Sequence, residues 1–165
     1  ENNASFKQNL LTEFNKLGIP EYRIIFATKV DAMADHLARY GLADLFLDTS
    51  PYNAHTTAMD ALKSRLPMIS LAGRSFASRV GASLLTTIGL PELIVHSEEE
   101  FIELASRIAQ DPQALKLLKE KLSNNLKSTP LFNTKIFCGH LEVAYQEIYQ
   151  KYMQDLPLAD IYINQ

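Results

Sequence analysis

Short apolar runs alternate with helix-like segments over residues 1–97, and this alternation constrains the fold more than any other feature of the sequence. Apolar residues at helical spacing predict helices, whereas short β-rich runs without that spacing predict buried strands. The predicted helices in this region cover residues 5–17, 31–40, 56–65 and 75–88, and the predicted strands cover residues 22–26, 43–48, 67–72 and 92–96.

Strands separated by helices predict a parallel sheet, because a parallel connection needs a long crossover that a helix normally supplies. The predicted strands are almost continuously apolar, as expected when helices cover both faces of the sheet. After residue 97 the pattern is almost wholly helical, over residues 98–109, 111–125 and 133–154. The sequence therefore predicts an α/β fold: a Rossmann-like parallel sheet with flanking helices, and a helical extension over residues 98–165.

Length and composition predict one domain, residues 1–165, and argue against several classes of protein. A net charge of −3 argues against a dedicated nucleic-acid binder, which carries a basic surface. No apolar run has the length of a membrane-spanning helix. The single cysteine, Cys138, excludes an internal disulfide, and the four histidines lack metal-ligand spacing.

The segment after the second predicted strand has the residues of an anion site. A polar turn leads to His55, Thr56 and Thr57, which open the next predicted helix. The amides of a helix's first turn lack intrahelical acceptors and lie at the positive end of the helix dipole, so they bind phosphate readily. Asp60 lies one turn further, where a carboxylate can accept hydrogen bonds from a ribose. The alternative is that the threonines only cap the helix and Asp60 is solvated.

A second candidate is the pair His36 and Arg39, three residues apart on the predicted helix 31–40. Helical geometry places His36 at the edge of the apolar stripe and Arg39 further toward solvent. The imidazole could stack on a flat ring, and the guanidinium could reach a carbonyl or a phosphate. The alternative is a half-buried histidine beside a surface arginine. No GxGxxG, GxxxxGK[ST] or GxSxG motif occurs, so the sites that those motifs build are absent.

Five stretches of the sequence together resemble one family. They are RIIF at 23–26, HLARYGLADLFLDTSPYNAHTTAMDAL at 36–62, LPMISLAGRSFASRVGASLL at 66–85, GLPEL at 89–93 and TPLFNT at 129–134. These stretches are similar to the O-linked N-acetylglucosamine transferase family, glycosyltransferase family 41, which includes SPINDLY-type and bacterial TPR-linked relatives. The resemblance extends from about residue 20 to residue 154.

This resemblance implies a GT-B fold with two Rossmann-like lobes, of which the chain would be most of the C-terminal, nucleotide-sugar-binding lobe. The residues implied to bind the UDP-sugar are His36, Arg39, His55, Thr56, Thr57 and Asp60. The first two would meet the uracil, the next three the diphosphate, and the last the ribose. The implied reaction is an inverting transfer of N-acetylglucosamine from UDP to Ser or Thr hydroxyls, without an obligatory metal or another cofactor. No catalytic residue is assigned within the chain.

Two departures from the family pattern support a different interpretation. Lys63 stands where bacterial relatives usually have Trp or Phe, and Arg65 stands where Gly is usual. They favour the alternative of a non-catalytic interaction or scaffold module. A further alternative keeps the enzyme class and changes the donor to UDP-glucose or GDP-fucose.

The sequence begins at Glu1 without a methionine, which predicts a cut within a larger enzyme. The family's N-terminal lobe and TPR region would supply the contacts to the sugar and to the acceptor protein. We therefore expect the chain to be inactive by itself and cytoplasmic, with neither nucleic acid nor membrane as a partner. We also expect uncovered apolar surface to promote self-association.

Overall fold

The computed structural model describes residues 4–163, which form α-helices and a small parallel sheet. The helices are α1 (Ala4–Lys16), α2 (Met33–Arg39), α3 (Thr56–Lys63), α4 (Val80–Thr87), α5 (Glu98–Gln110), α6 (Pro112–Ser128) and α7 (Thr134–Met153). The strands are β1 (Phe46–Leu47), β2 (Met68–Leu71) and β3 (Ile94–Val95). Short 3-10 turns at Glu21–Arg23, Tyr40–Leu42, Pro91–Leu93 and Pro130–Phe132 complete the regular structure of the described residues.

The chain divides into two compact units, the first ending at Met33 and the second beginning at Ala34. In the first unit, Leu11 of α1 is buried. The second unit contains the sheet and every helix from α3 onward. The helices after residue 97 thus belong to the same unit as the sheet, because α5 packs against β2 and against α6.

The sheet has the order β1-β2-β3, and both pairs of strands are parallel. Phe46 lies opposite Met68, and Ser70 lies opposite Ile94. β2 is therefore the central strand, and its first three residues are fully buried between α3, α4 and α5. The predicted parallel sheet with flanking helices is confirmed.

The core of the second unit forms where these helices meet the sheet. Its large buried side chains are Leu62, Met68, Ile69, Leu85, Ile88, Leu90, Leu93, Val95, Leu104, Ile108 and Leu122. Each such side chain contributes about 1.5–3 kcal/mol when it leaves water. This core includes residues of α5 and α6, so the helical extension helps to stabilise the sheet that positions the site.

The predicted strand at residues 22–26 is wrong. Glu21–Arg23 form a 3-10 turn, and residues 24–32 form neither helix nor strand. Tyr22 and Ile25 are 83% and 90% exposed. A strand exists only where its backbone pairs with a neighbour, and no described strand pairs with this segment. Its apolar composition indicated β-propensity, which depends on packing that this segment lacks.

The predicted helix 75–88 begins later than its apolar spacing indicates. Ser75 donates its backbone N–H to Ser78 Oγ at 3.0 Å, and Ser78 Oγ donates to the Ser75 carbonyl at 3.0 Å. Side-chain bonds of this kind compete with the helix, so α4 starts at Val80. It ends before Gly89, which has a φ of +74°. The other predicted helices agree with the structure to within three residues at each end.

Arg65 lies just beyond α3 with a φ of +65°. Glycine adopts this left-handed region readily, whereas a side chain makes it strained. The backbone thus explains in physical terms why Gly is usual at this position in the family that the sequence resembles.

Helix α7 turns its apolar side outward. The half-buried residues on its inner side are His140, Ala144, Glu147 and Lys151, whereas the exposed apolar residues include Phe137, Leu141, Tyr145, Ile148 and Tyr152. At 100° per residue these two sets lie on adjoining arcs of the helix. Their order is the reverse of the usual amphipathic helix, so α7 has an exposed apolar face.

Candidate functional site

The start of α3 combines polar side chains with first-turn amides. Thr56 and Thr57 are the first two residues of the helix, and both are exposed. His55 precedes them, its carbonyl accepts the Met59 N–H at 3.1 Å, and its own side chain makes no capping hydrogen bond. Because the first-turn amides of a helix lack intrahelical acceptors and lie at the positive end of its dipole, this exposed helix start has the chemistry of an anion site.

A buried carboxylate holds the loop that leads to α3. Asp48 is 7% exposed and follows β1. Its Oδ1 accepts the N–H groups of Thr49 and Ala54 at 2.8 and 2.7 Å, and its Oδ2 accepts the Ser70 hydroxyl at 2.6 Å. These three bonds satisfy the buried charge and join both ends of the loop to β2.

Asn53 attaches the same loop to the segment that enters α4. Its Nδ2 donates to the Thr49 carbonyl at 3.0 Å, and its Oδ1 accepts the Gly81 N–H at 3.3 Å. Its own backbone N–H donates to the Ala77 carbonyl at 3.0 Å. The sequence analysis did not identify Asp48, Asn53 or Gly81. Asp48 could have been found from the sequence, because it is a carboxylate at the end of a strand predicted to be buried, and a buried carboxylate needs hydrogen-bond partners.

The imidazole of His55 lies among aromatic rings rather than over the helix start. It stacks on Tyr52 with centroids 5.1 Å apart and planes at 19°, and meets Phe76 nearly at right angles at 6.2 Å. Its Nε2 is buried without a hydrogen-bond partner among the described residues. Tyr52 and Phe76 are 64% and 76% exposed, so this aromatic cluster forms an apolar surface beside the helix start.

His36 connects α2 to α3. Its Nε2 lies 3.2 Å from Asp60 Oδ2, and its Nδ1 lies 2.9 Å from Arg39 Nη2. The side chains of His36 and Asp60 are 30% and 22% exposed. The structure therefore brings together three residues that the sequence placed on two separate helices, and it does so at the second turn of α3.

Tyr40 adjoins this group. Its ring lies 5.4 Å from the His36 ring at an interplanar angle of 89°. Partial burial raises the pKa of Tyr40 above its ordinary value of 10.0, the Asp60 carboxylate raises it further, and Arg39 opposes both effects. The sequence analysis did not associate Tyr40 with the site.

Two other features are absent from the described residues. They contain no cluster of three or more His, Cys, Asp or Glu side chains that could hold a metal ion. Within the same part of the chain, no helix is both long enough and apolar enough to cross a bilayer.

Residues 3–141 match the model of the family described as glycosyl transferase family 41. The chain belongs to this family. It is 34% identical over 148 residues to the Arabidopsis thaliana protein described as a probable UDP-N-acetylglucosamine–peptide N-acetylglucosaminyltransferase SPINDLY. The matched region covers 90% of the chain and 16% of that relative. It is also 34% identical over 144 residues to the Caenorhabditis elegans UDP-N-acetylglucosamine–peptide N-acetylglucosaminyltransferase, covering 87% of the chain and 12% of that relative.

A solved structure is similar to the family 41 chain as well. It is a mutant of the Thermobaculum terrenum O-GlcNAc transferase, with a TM-score of 0.86 and 30% sequence identity. The similarity covers 93% of the chain and 29% of the bacterial protein. The predicted family and fold class are thus confirmed, and the chain spans less than a third of each of these relatives.

Proposed function

We propose that this chain is the UDP-sugar-binding lobe of an inverting protein O-glycosyltransferase, which transfers N-acetylglucosamine to Ser or Thr hydroxyls. One observation carries the proposal: α3 presents exposed threonines on its first turn and a carboxylate bonded to His36 one turn later. At about 1.5 Å rise per residue, Thr56 and Asp60 differ by roughly 6 Å along the helix axis. That separation suits a diphosphate joined to a ribose.

The parts of the donor would meet different groups. The amides and hydroxyls of Thr56 and Thr57 would bind the diphosphate, and Asp60 would accept hydrogen bonds from the ribose hydroxyls. The His36 ring would stack on the uracil, with Arg39 beside it. His55 would contribute to the diphosphate site through the backbone that begins α3, because its ring packs between Tyr52 and Phe76.

The chemistry requires the helix start to stabilise a leaving group. In an inverting transfer, the acceptor hydroxyl forms a bond to the anomeric carbon while the bond to UDP breaks, and the electron pair of that bond stays on the β-phosphate oxygen. The oriented amides of α3 would stabilise this developing negative charge without reorganisation. The acceptor's proton would pass to a base that this chain does not supply.

The regions that the relatives have beyond the part matched by this chain would supply what the chain lacks. The acceptor protein's binding site and most contacts to the sugar would lie there, so the chain by itself is expected to have no transferase activity. The enzyme would be cytoplasmic. UDP-glucose and GDP-fucose remain alternative donors, and a UDP site here would exclude the second of them.

The test is calorimetric titration of the 165-residue chain with UDP and with GDP. UDP should bind more tightly than GDP, and Asp60→Asn should weaken UDP binding roughly ten-fold or more, because it removes a charge-assisted hydrogen bond worth about 1.5–3 kcal/mol. Asp44→Asn is the matched control, since Asp44 is an exposed carboxylate paired with Lys119. Equal affinities for the wild-type and Asp60→Asn chains would refute the assignment, and no UDP binding would favour the scaffold alternative.

A further inference from the structure

Both ring nitrogens of His36 are bonded to side chains of the same chain. An arginine side chain donates hydrogen bonds and accepts none, so His36 Nδ1 must accept from Arg39 Nη2 at 2.9 Å. The ring proton is then on Nε2, which donates to Asp60 Oδ2 at 3.2 Å. The two contacts together select one tautomer of the imidazole.

Tyr40 restrains the ring from a third direction. The rings of Tyr40 and His36 meet edge to face, 5.4 Å apart at 89°, which is a favourable aromatic geometry. Tyr40 begins the 3-10 turn that directly follows α2, so His36, Arg39 and Tyr40 lie within five consecutive residues. The His36 side chain nevertheless remains 30% exposed.

We propose that Arg39 and Tyr40 are positioning residues that hold His36 in the Nε2–H tautomer and in one ring orientation. With both nitrogens bonded, the surface that His36 offers to a ligand is its π-face and C–H edge. A nucleotide base would therefore be recognised by stacking on this ring rather than by a hydrogen bond from it. The identity of the ligand rests on the proposed function, whereas the tautomer and the orientation of the ring do not depend on that function.

The first experiment needs no ligand. In a two-bond ¹H–¹⁵N correlation spectrum of the wild-type chain, His36 should show protonated Nε2 and unprotonated Nδ1. Its signals are assigned by their loss in His36→Gln. Arg39→Leu removes the donor to Nδ1, and the signals should then move toward the average of the two tautomers. An Nδ1–H ring or an averaged ring in the wild-type chain would overturn the proposal, whether or not any nucleotide binds.

The second experiment separates positioning from general stability. Tyr40→Leu, which keeps bulk without the aromatic contact, should weaken UDP binding about 2- to 10-fold, and Tyr40→Phe should keep the wild-type affinity. Inorganic pyrophosphate shares the diphosphate and lacks the base, so its affinity should not change in either variant. Tyr145→Leu, on the exposed face of α7, is the matched control.

Each outcome decides between the two proposals. Equal losses for UDP and pyrophosphate, or a Tyr40→Phe variant as weak as Tyr40→Leu, would contradict the positioning role. If the chain binds no UDP, the proposed function fails, while the tautomer of His36 still decides whether the ring is held. Thermal unfolding of each variant shows whether a change in affinity reflects a loss of folded protein.

Discussion

The substitution Gly81→Ala tests whether the buried network around Asp48 stabilises the fold that carries the candidate site. Gly81 lies in the first turn of α4, where an added Cβ would overlap Ser70 Oγ and lie 2.6 Å from Asp48 Oδ2. The glycine has no left-handed φ, so the expected effect comes from this overlap and not from backbone strain.

The magnitude follows from the groups that must move. Displacing Ser70 removes its bond to the Asp48 carboxylate, worth about 1.5–3 kcal/mol, and overpacking a buried site costs about 1–3 kcal/mol. The higher helix propensity of alanine offsets about 1 kcal/mol. We therefore expect the free energy of unfolding to fall by about 3 kcal/mol, which lowers the urea midpoint by roughly 1.5 M at a slope near 2 kcal/mol/M.

The assay is urea unfolding of the 165-residue chain followed by circular dichroism. Gly139→Ala is the matched control. Apart from its chain neighbours and the backbone of α7, a Cβ at Gly139 meets no described atom within 4 Å, and the alanine should stabilise the helix by about 1 kcal/mol. Adding Ser70→Ala to Gly81→Ala should destabilise less than the two single changes summed, since the two sites share one contact. A Gly81→Ala chain as stable as the wild type would refute the reasoning.

Two further predictions concern Tyr40 and α7. Because the pKa of Tyr40 is raised, its protonated form is favoured in the folded chain, so its contribution to stability is complete below pH 10 and is lost as the pH rises further. The difference between the 295 nm absorbance titrations of the wild type and Tyr40→Phe should therefore have its midpoint above pH 10. A midpoint at or below pH 10 would count against the prediction. The exposed apolar face of α7 should cause the chain to self-associate, and the double substitution Tyr145→Glu with Ile148→Glu should reduce this association, as measured by sedimentation velocity. A wild-type chain that stays monomeric at every loading concentration would contradict this prediction.

The helices could be predicted well from the sequence because their signals are local. The Ser97 side chain accepts the Glu100 N–H at 3.2 Å, and Asp111 accepts the N–H groups of Gln113 and Ala114, as expected of residues that precede helices. Apolar spacing located α7 to within one residue at each end. Spacing alone could not show that the apolar side of α7 faces outward, because that depends on the elements beside it.

In the candidate site as well, some features follow from the local sequence and others depend on contacts between distant residues. The prediction that Thr56 and Thr57 bind phosphate follows from their place at a helix start, which is a short-range property. The bond between His36 and Asp60 joins residues 24 positions apart, and the bond between Asp48 and Ser70 joins residues 22 apart. Neither pairing leaves a periodic pattern, so neither could be derived from spacing.

By itself, the sequence determined the family, through five stretches that resemble it, and also the alternation of helices and strands and the start of the helix that carries Thr56 and Thr57. The helices and strands depend on backbone propensity, capping and apolar period, which act within a few residues. The tertiary structure decided that residues 22–26 form no strand, that His55 packs among aromatic rings, and that Arg39, His36 and Asp60 form one hydrogen-bonded chain. The physical reason is that pairing, burial and tautomer depend on groups that folding brings together from distant parts of the chain.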